Sequence, residues 1–496
     1  MNTSDGLRTA RLYNVGAPGP AWSGSARNPK EPPVLEDAVV RKVLGTALAT
    51  GGEWAEIYAE DRLSHNIRLE DRRVEELVTG RDRGAGIRVV RGTSSAYAYT
   101  NRLEAEPLLE AARVAAAALR EPPAAEVADL RRREPGVRHP VAVDPAGVDR
   151  ATLAELVRRA DDAARTFDPA VAQVSAGYGD VRQQVLVANS EGFTTMEERV
   201  RTRFVVQVVA VRDGVVQTGF DGPGRSQGFE LLDEFPPEVV ARNAAERAVA
   251  MLASRPAPAG EMPVVIASGN GGVLFHESSG HGMEADLIAK EASVYHGRQG
   301  KQIGVQRFNG VDDATVEGAW GSFAFDDEGT PAQRTVLFEN GVCTDYLTDL
   351  IRARQLGLRA SGNGRRQSYT DVPIPRMTNT YVLAGEDDPE EIIRQTPRGL
   401  YAKSLGGGQV NPVTGEFVFG VVEGYLIENG EVTTPVRGAN LVGDGPSVIA
   451  AVDALGSDFT VKEGICGKEG QGVPVGNGAP TMRIARMTVG GTGGPA

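Results

Sequence analysis

The sequence predicts an α+β fold. Its first half interleaves strands of period-two hydrophobicity with Ala- and Leu-rich amphipathic helices. A Pro/Gly-rich segment follows, and beyond it lies a glycine-rich, hairpin-punctuated stretch. At 496 residues the chain exceeds one compact core of ordinary size, which predicts at least two packed units.

Residues 1–34 are rich in Gly, Pro, Ser and Ala without periodicity, the composition of a flexible leader. From Glu53 to Tyr99 the segments WAEIYAE, HNIRLED, VEELVTGRDRGAGIRVVRG and SAYAYTN alternate apolar and polar positions and predict an antiparallel meander. Apolar residues three and four apart predict helices over 103–121 and 150–167. Strands resume at AQVSAGYGD, QQVLVANS and FVVQVVAVRDGVVQTGF, the last folded back at an RDG turn, and a helix begun by prolines spans 236–254.

The segment RPAPAGEMP, 255–263, reads as a linker. The expected division is thus an N-terminal α/β domain with an antiparallel sheet, 35–258, and a mostly β domain, 259–496. In the second, TVLFENGVCTDYLTD and EFVFGVVEGYLIENGEVTTP each carry an ENG hairpin signal, and helices are expected near 272–290, 346–356 and 388–395.

Composition excludes several classes. Hydrophobic residues at 41% and charged residues at 24% are those of a globular protein. A net charge of −13 with no compensating basic block argues against direct nucleic-acid contact. No apolar run nears the roughly 20 residues needed to cross a bilayer. Two cysteines cannot build a disulfide framework and no signal-peptide core follows Met1, so the expected compartment is the cytoplasm.

The chemistry concentrates in HESSGHGMEAD, 276–286, which holds two of the five histidines. His276 and His281 stand five apart, and in a regular α-helix that spacing turns the second side chain about 140° from the first. A π-type widening of the turn would bring them together, and the small residues Ser278, Ser279 and Gly280 permit one. Two imidazoles leave a zinc-like centre short of its usual third protein ligand. Any carboxylate or either thiol could supply it. Cys343 follows a hairpin turn as an ordinary buried thiol would, whereas Cys466 sits in a glycine-rich loop with Lys462 and Lys468 nearby to favour a thiolate, so Cys466 is preferred. Glu277, beside the first histidine, suits a general base that activates water for peptide hydrolysis. The block 361–382 offers Asn363, Arg365 and Tyr369 as candidate substrate contacts, with Arg365 or Tyr369 near a developing oxyanion. Glu284 or Asp286 could hold the second ring nitrogen of a ligand histidine. His65, His139 and His296 have no partner pattern.

The segments HESSGHGMEAD, FDDEGTPAQRTVLFENG, SGNGRRQSY, RMTNTY, AKSLGGGQVNPVTGEFVF and GICGKEGQGVPVGNGAPTMR together resemble the TldD branch of the TldD/PmbA metallopeptidase family. The likeness runs through nearly all the chain beyond the leader. It implies an HExxxH helix with a distal cysteine as third ligand, matching His276, His281 and Cys466, with Glu277 as base. It also implies zinc, with Fe2+ as the alternative, and cleavage of unfolded or flexible peptides. The implied assembly is a heterodimer with a related TldE/PmbA-type subunit that lacks the metal motif. A leader of this length, and Cys343 where an aliphatic residue is more typical, depart from the pattern. The competing reading is a non-catalytic regulator or scaffold with a structural metal, which would have no need of Glu277.

Overall fold

Long two-residue-turn hairpins organise the N-terminal half of the molecule. In this computed structural model residues 34–119 and 124–493 are described; the expected leader, apart from Val34, lies outside the described residues. Strands Trp54–Glu70 and Arg73–Arg91 pair antiparallel through Asp71 and Arg72 at φ 45° and 71°. Phe193–Arg212 turns into Val215–Asp221 through Asp213 and Gly214 at φ 51° and 79°, the expected RDG turn. Positive φ at both turn residues matches the right-handed twist of the flanking strands.

One order of elements occurs twice. A helix (Asp37–Leu48), three strands (54–70, 73–91 and Ser94–Thr100) and a helix (Ala105–Ala116) are followed by a helix (Arg150–Arg165), three strands (Val171–Asn189, 193–212 and 215–221) and a helix (Pro237–Ala250). The halves join edge to edge, 54–70 antiparallel to 171–189, so that one continuous sheet results. Each half packs its own helix pair on that sheet. Val43, Leu44 and Ala112 cover Ile57 and Ile87, and Val157, Ala160 and Ala244 cover Val206 and Val208. Asp149 caps the third helix, accepting from the Thr152 N–H at 2.9 Å.

The C-terminal half is α+β with strands dominant, as expected. In one sheet the neighbours run 398–410, 260–266, 482–490, 440–444 and 416–428, and the last pairs back onto 398–410, so the hydrogen-bonded circuit closes. Phe417, Phe419, Leu400, Ile484 and Val489 are buried in the core beneath it. A second sheet of six strands runs 342–343, 334–339, 310–313, 379–382, 471–479 and 460–468. Both ENG turns form, with Asn340 and Gly341 at φ 50° and 76° and Asn429 and Gly430 at 53° and 78°. Helices occupy Asn270–Phe275, Leu350–Leu356 and Pro389–Arg394. The supposed linker is tied down: Arg255–Pro256 pairs parallel with Val436–Arg437, and Gly260 already begins a strand. Pro256 stands on the edge strand, where no ladder N–H is required, and Pro263 at the register irregularity between Met262 and Val264 of an interior strand, so the segment is part of the sheet rather than a free connection.

The two halves meet through buried charge. Arg88 bridges Glu56 at 3.0 Å and Glu328, Arg366 reaches Glu56 at 2.6 Å, and Arg199 reaches Asp327 at 2.7 Å.

Candidate metal centre

The strand Gly260–Ile266 leaves the closed sheet, turns at Gly269 with φ 81°, and enters the helix that ends at the first histidine. That helix lies against the strand Gln471–Ala479, where a Cβ on Gly272 would run into the backbone of Asn477 and Gly478. Close approach of two backbones therefore explains Gly272. Next comes a π turn, His276–Gly280, in which the His281 N–H donates to the His276 carbonyl, the i→i+5 bond that the histidine spacing requires. Met377 packs where a Gly280 Cβ would stand, and the Tyr295 ring does the same at Gly282.

The turn brings both Nε2 atoms to one thiol. His276 Nε2 is 3.2 Å and His281 Nε2 3.4 Å from Cys466 Sγ, although 190 and 185 residues separate the pairs. The three donor atoms lie within 4.8 Å of one another. Burial opposes ionisation of Cys466, but the two imidazoles outweigh it and pull the thiol down to about 4. Burial also disfavours protonated His281, yet Glu284 and the sulfur reverse the balance and raise it well above the usual histidine range. Glu284 Oε2 accepts from His281 Nδ1 at 2.9 Å, which settles which of the two acids meets a ring nitrogen. Its own carboxyl, despite complete burial, is held down at about 2 by Lys468 and His281. Glu277 Oε2 stands 3.7 Å from His281 Nε2, with its side chain 23% exposed.

Cys466 lies in the strand Thr460–Lys468, not in a loop. Glu469 and Gly470, at φ 50° and 78°, turn that strand into 471–479, with Cys466 opposite Val473. KEGQ is thus the same two-residue turn as the ENG pair, hidden by the surrounding glycines. The lysines do not serve the thiolate. Lys462 donates to Asn270 Oδ1 at 3.0 Å, and Lys468 bridges Glu284 and Asp286 at 3.0 and 2.7 Å. The imidazoles, not the lysines, are the groups that hold the thiol down.

Arg376 was not singled out from sequence. It is fully buried, and its guanidinium donates to the carbonyls of Cys466 and Gln471, holding both strands of the cysteine hairpin. No periodic or motif signal marks it, because its partners are backbone atoms about ninety residues away.

The other candidates have protein partners of their own. Asn363 is buried and donates to Asp312 and to the Arg376 carbonyl. Arg365 donates to the carbonyls of Met377 and Pro474 and lies over the Phe323 ring. Tyr369 packs on the N-terminal sheet, its N–H bonded to Glu60 and its hydroxyl to Asp82. Each side chain is committed to protein partners. His65 pairs with Asp180, His139 accepts from the Gly318 N–H, and His296 bonds the Ile288 carbonyl. Cys343 is buried in the core, where burial and then Asp345 push its thiol up to about 12.

Zinc bonded at about 2.0–2.1 Å to nitrogen and 2.3 Å to sulfur has tetrahedral N···S edges of about 3.5 Å. The separations of 3.2 and 3.4 Å come within a few tenths of an ångström of that edge. His276, His281 and Cys466 could therefore hold a zinc-type cation. Such a set, with an unligated carboxylate beside it, is that of metal-dependent hydrolases.

Comparison with known proteins narrows the class. Models of the PmbA/TldA metallopeptidase family match in three consecutive parts: domain 1 at residues 55–119, the central domain at 143–252 and the C-terminal domain at 259–491. A metalloprotease TldD homolog of Haemophilus influenzae is 37% identical over 455 residues, covering 89% of this chain and 93% of that protein. A metalloprotease of Methanothermobacter thermautotrophicus is 34% identical over 448 residues, covering 89% and 96%. The crystal structure of TldE from Thermococcus kodakarensis shares the fold at a TM-score of 0.72 and 19% identity, over 91% of this chain and 99% of that one. The chain belongs to the TldD/PmbA metallopeptidase family, whose named relatives are metalloproteases.

Proposed function

We propose that this chain hydrolyses peptide bonds of unfolded or flexible peptides, using a divalent cation held by His276, His281 and Cys466 and Glu277 as general base. The convergence of three donor atoms within 4.8 Å, from segments 185 and 190 residues apart, carries the reading. Zinc suits the mixed N/S donor set, with Fe2+ the alternative. When bound, the cation supplies Lewis acidity toward a carbonyl and toward water.

The chain's own residues do the rest. The Glu277 carboxylate, partly exposed beside buried histidines, takes a proton from the attacking water and returns it to the departing amine. Glu284 keeps the His281 proton on Nδ1 and so leaves Nε2 free as a donor. Contact of Asn363, Arg365 or Tyr369 with a peptide would require each to give up its present partners, and the mechanism uses none of them.

The working assembly in this proposal is a heterodimer with a related TldE/PmbA-type subunit in the cytoplasm. The fold shared with a TldE supports the first part. Two free cysteines, and no helix among the described residues long and apolar enough to cross a membrane, accord with the second.

The test is Glu277→Gln, assayed on a flexible peptide with and without the related subunit, alongside metal analysis. Retained metal with turnover reduced by about 10²–10⁴-fold is expected; undiminished turnover would reject the assigned base.

A further inference from the structure

Lys468 follows Cys466 by two residues on one strand, so the two side chains share a face. Glu284 follows His281 by three residues and is fully buried. A single oxygen joins them: Glu284 Oε2 accepts from His281 Nδ1 at 2.9 Å and from Lys468 Nζ at 3.0 Å. The same ammonium reaches Asp286 Oδ1 at 2.7 Å and the Pro375 carbonyl at 3.2 Å. Arg376, next in sequence, grips the carbonyls of Cys466 and Gln471.

We propose that Glu284 and Lys468 are positioning residues that set the register of the cysteine strand against the histidine turn, so that one carboxylate aligns both halves of the metal centre. This rests on the reading of His276, His281 and Cys466 as ligands. The physical reason is the origin of the donors. The π turn places the two imidazoles relative to each other, but no local geometry relates them to a sulfur almost two hundred residues later. The two halves of the centre come from separate elements, and the Lys468–Glu284 contact spans the gap between them. Oε2 fixes the tautomer of His281 on one side and anchors the hairpin of Cys466 on the other. Asp286 touches Lys468 without touching a histidine, and so holds the ammonium in place.

The test uses the full chain, stripped of metal and titrated with Co2+ alone. Thiolate-to-cobalt absorption in the near-ultraviolet reports the sulfur bond separately from affinity. Glu284→Gln and Lys468→Met are each expected to weaken Co2+ binding by about 10–100-fold. Lys468→Met should also lose much of the thiolate band, because it frees the cysteine strand, while Lys468→Arg, which keeps the charge, recovers most of both signals. Arg486→Met breaks an exposed ion pair with Glu261 in the same half of the molecule and should leave both unchanged.

Far-ultraviolet circular dichroism of the metal-free proteins establishes that each variant is folded. Folded Glu284→Gln and Lys468→Met binding Co2+ within about threefold of the parent, with the band intact, would overturn the clamp. Should Lys468→Met not fold, Glu284→Gln decides by the same criterion. Failure of the parent chain to bind Co2+ would instead remove the metal centre itself, a distinguishable result.

Discussion

Cys466 Sγ lies 3.2 Å from His276 Nε2, and neither atom has another route to a metal-like donor set among the described residues. This pairing gives the two thiols of the chain different surroundings, one beside two imidazoles and one in the apolar core. Cys466→Ala should abolish stoichiometric metal binding, while Cys343→Ala, removing a thiol buried in the core, should keep it. Elemental analysis of the purified variants decides. Equal metal content in both would take Cys466 out of the site.

Gly272 lies one helical turn before His276, against the backbone of the strand that pairs with the cysteine strand. A methyl group there meets main chain, which cannot rotate away. Gly272→Ala is expected to cost about 1–3 kcal/mol in chemical unfolding and to weaken metal binding. Gly407→Ala, which meets nothing within 4 Å, should stay within about 0.5 kcal/mol of the parent.

The buried junction between the halves makes Arg88 a stability residue. It is fully buried between Glu56 and Glu328, so Arg88→Met leaves two carboxylates without that partner. A loss of about 3–5 kcal/mol is expected in denaturant titrations. A change below 1 kcal/mol, roughly the worth of an exposed pair, would show that the junction is solvated.

Glu230 provides a pH test away from the metal centre. Burial alone would raise its carboxyl, but N–H donors from Ala142, Val143 and Gly228 reverse that and hold it below the ordinary 4.5. A lowered folded value means that its contribution is complete above about 4.5 and disappears as the pH falls through the folded value. Glu230→Gln should therefore cost roughly 1–2 kcal/mol at pH 7, with a shrinking difference from the parent as the pH drops below the ordinary glutamate value of 4.5. Unfolding midpoints measured across that range check the sign. A difference that grows in acid would contradict it.

Local chemistry was legible. The RDG and ENG turns, the proline-started and amphipathic helices, and the π turn between His276 and His281 all depend on the φ preferences or spacing of a few adjacent residues. Glycine and asparagine tolerate positive φ, and five-residue spacing of two donors admits few backbone solutions. The KEGQ turn obeys the same rule and could have been found by it. Neighbouring glycines in GICGKEGQG made a loop look simpler than a tight hairpin.

Sequence by itself thus determined the α+β class, the helix and turn chemistry, and the choice of Cys466 over Cys343 as the thiol to test. Tertiary structure alone decided that the first sheet joins two halves of the same element order, that 255–256 and 260–263 are built into strands of the second half's sheet, and that Asn363, Arg365 and Tyr369 face protein partners. It also decided that one Glu284 oxygen serves both His281 and Lys468. The difference is one of range. Turn and helix preferences are paid within a few residues, whereas strand pairing and buried ion pairs join groups whose separation along the chain carries no information about their distance in space.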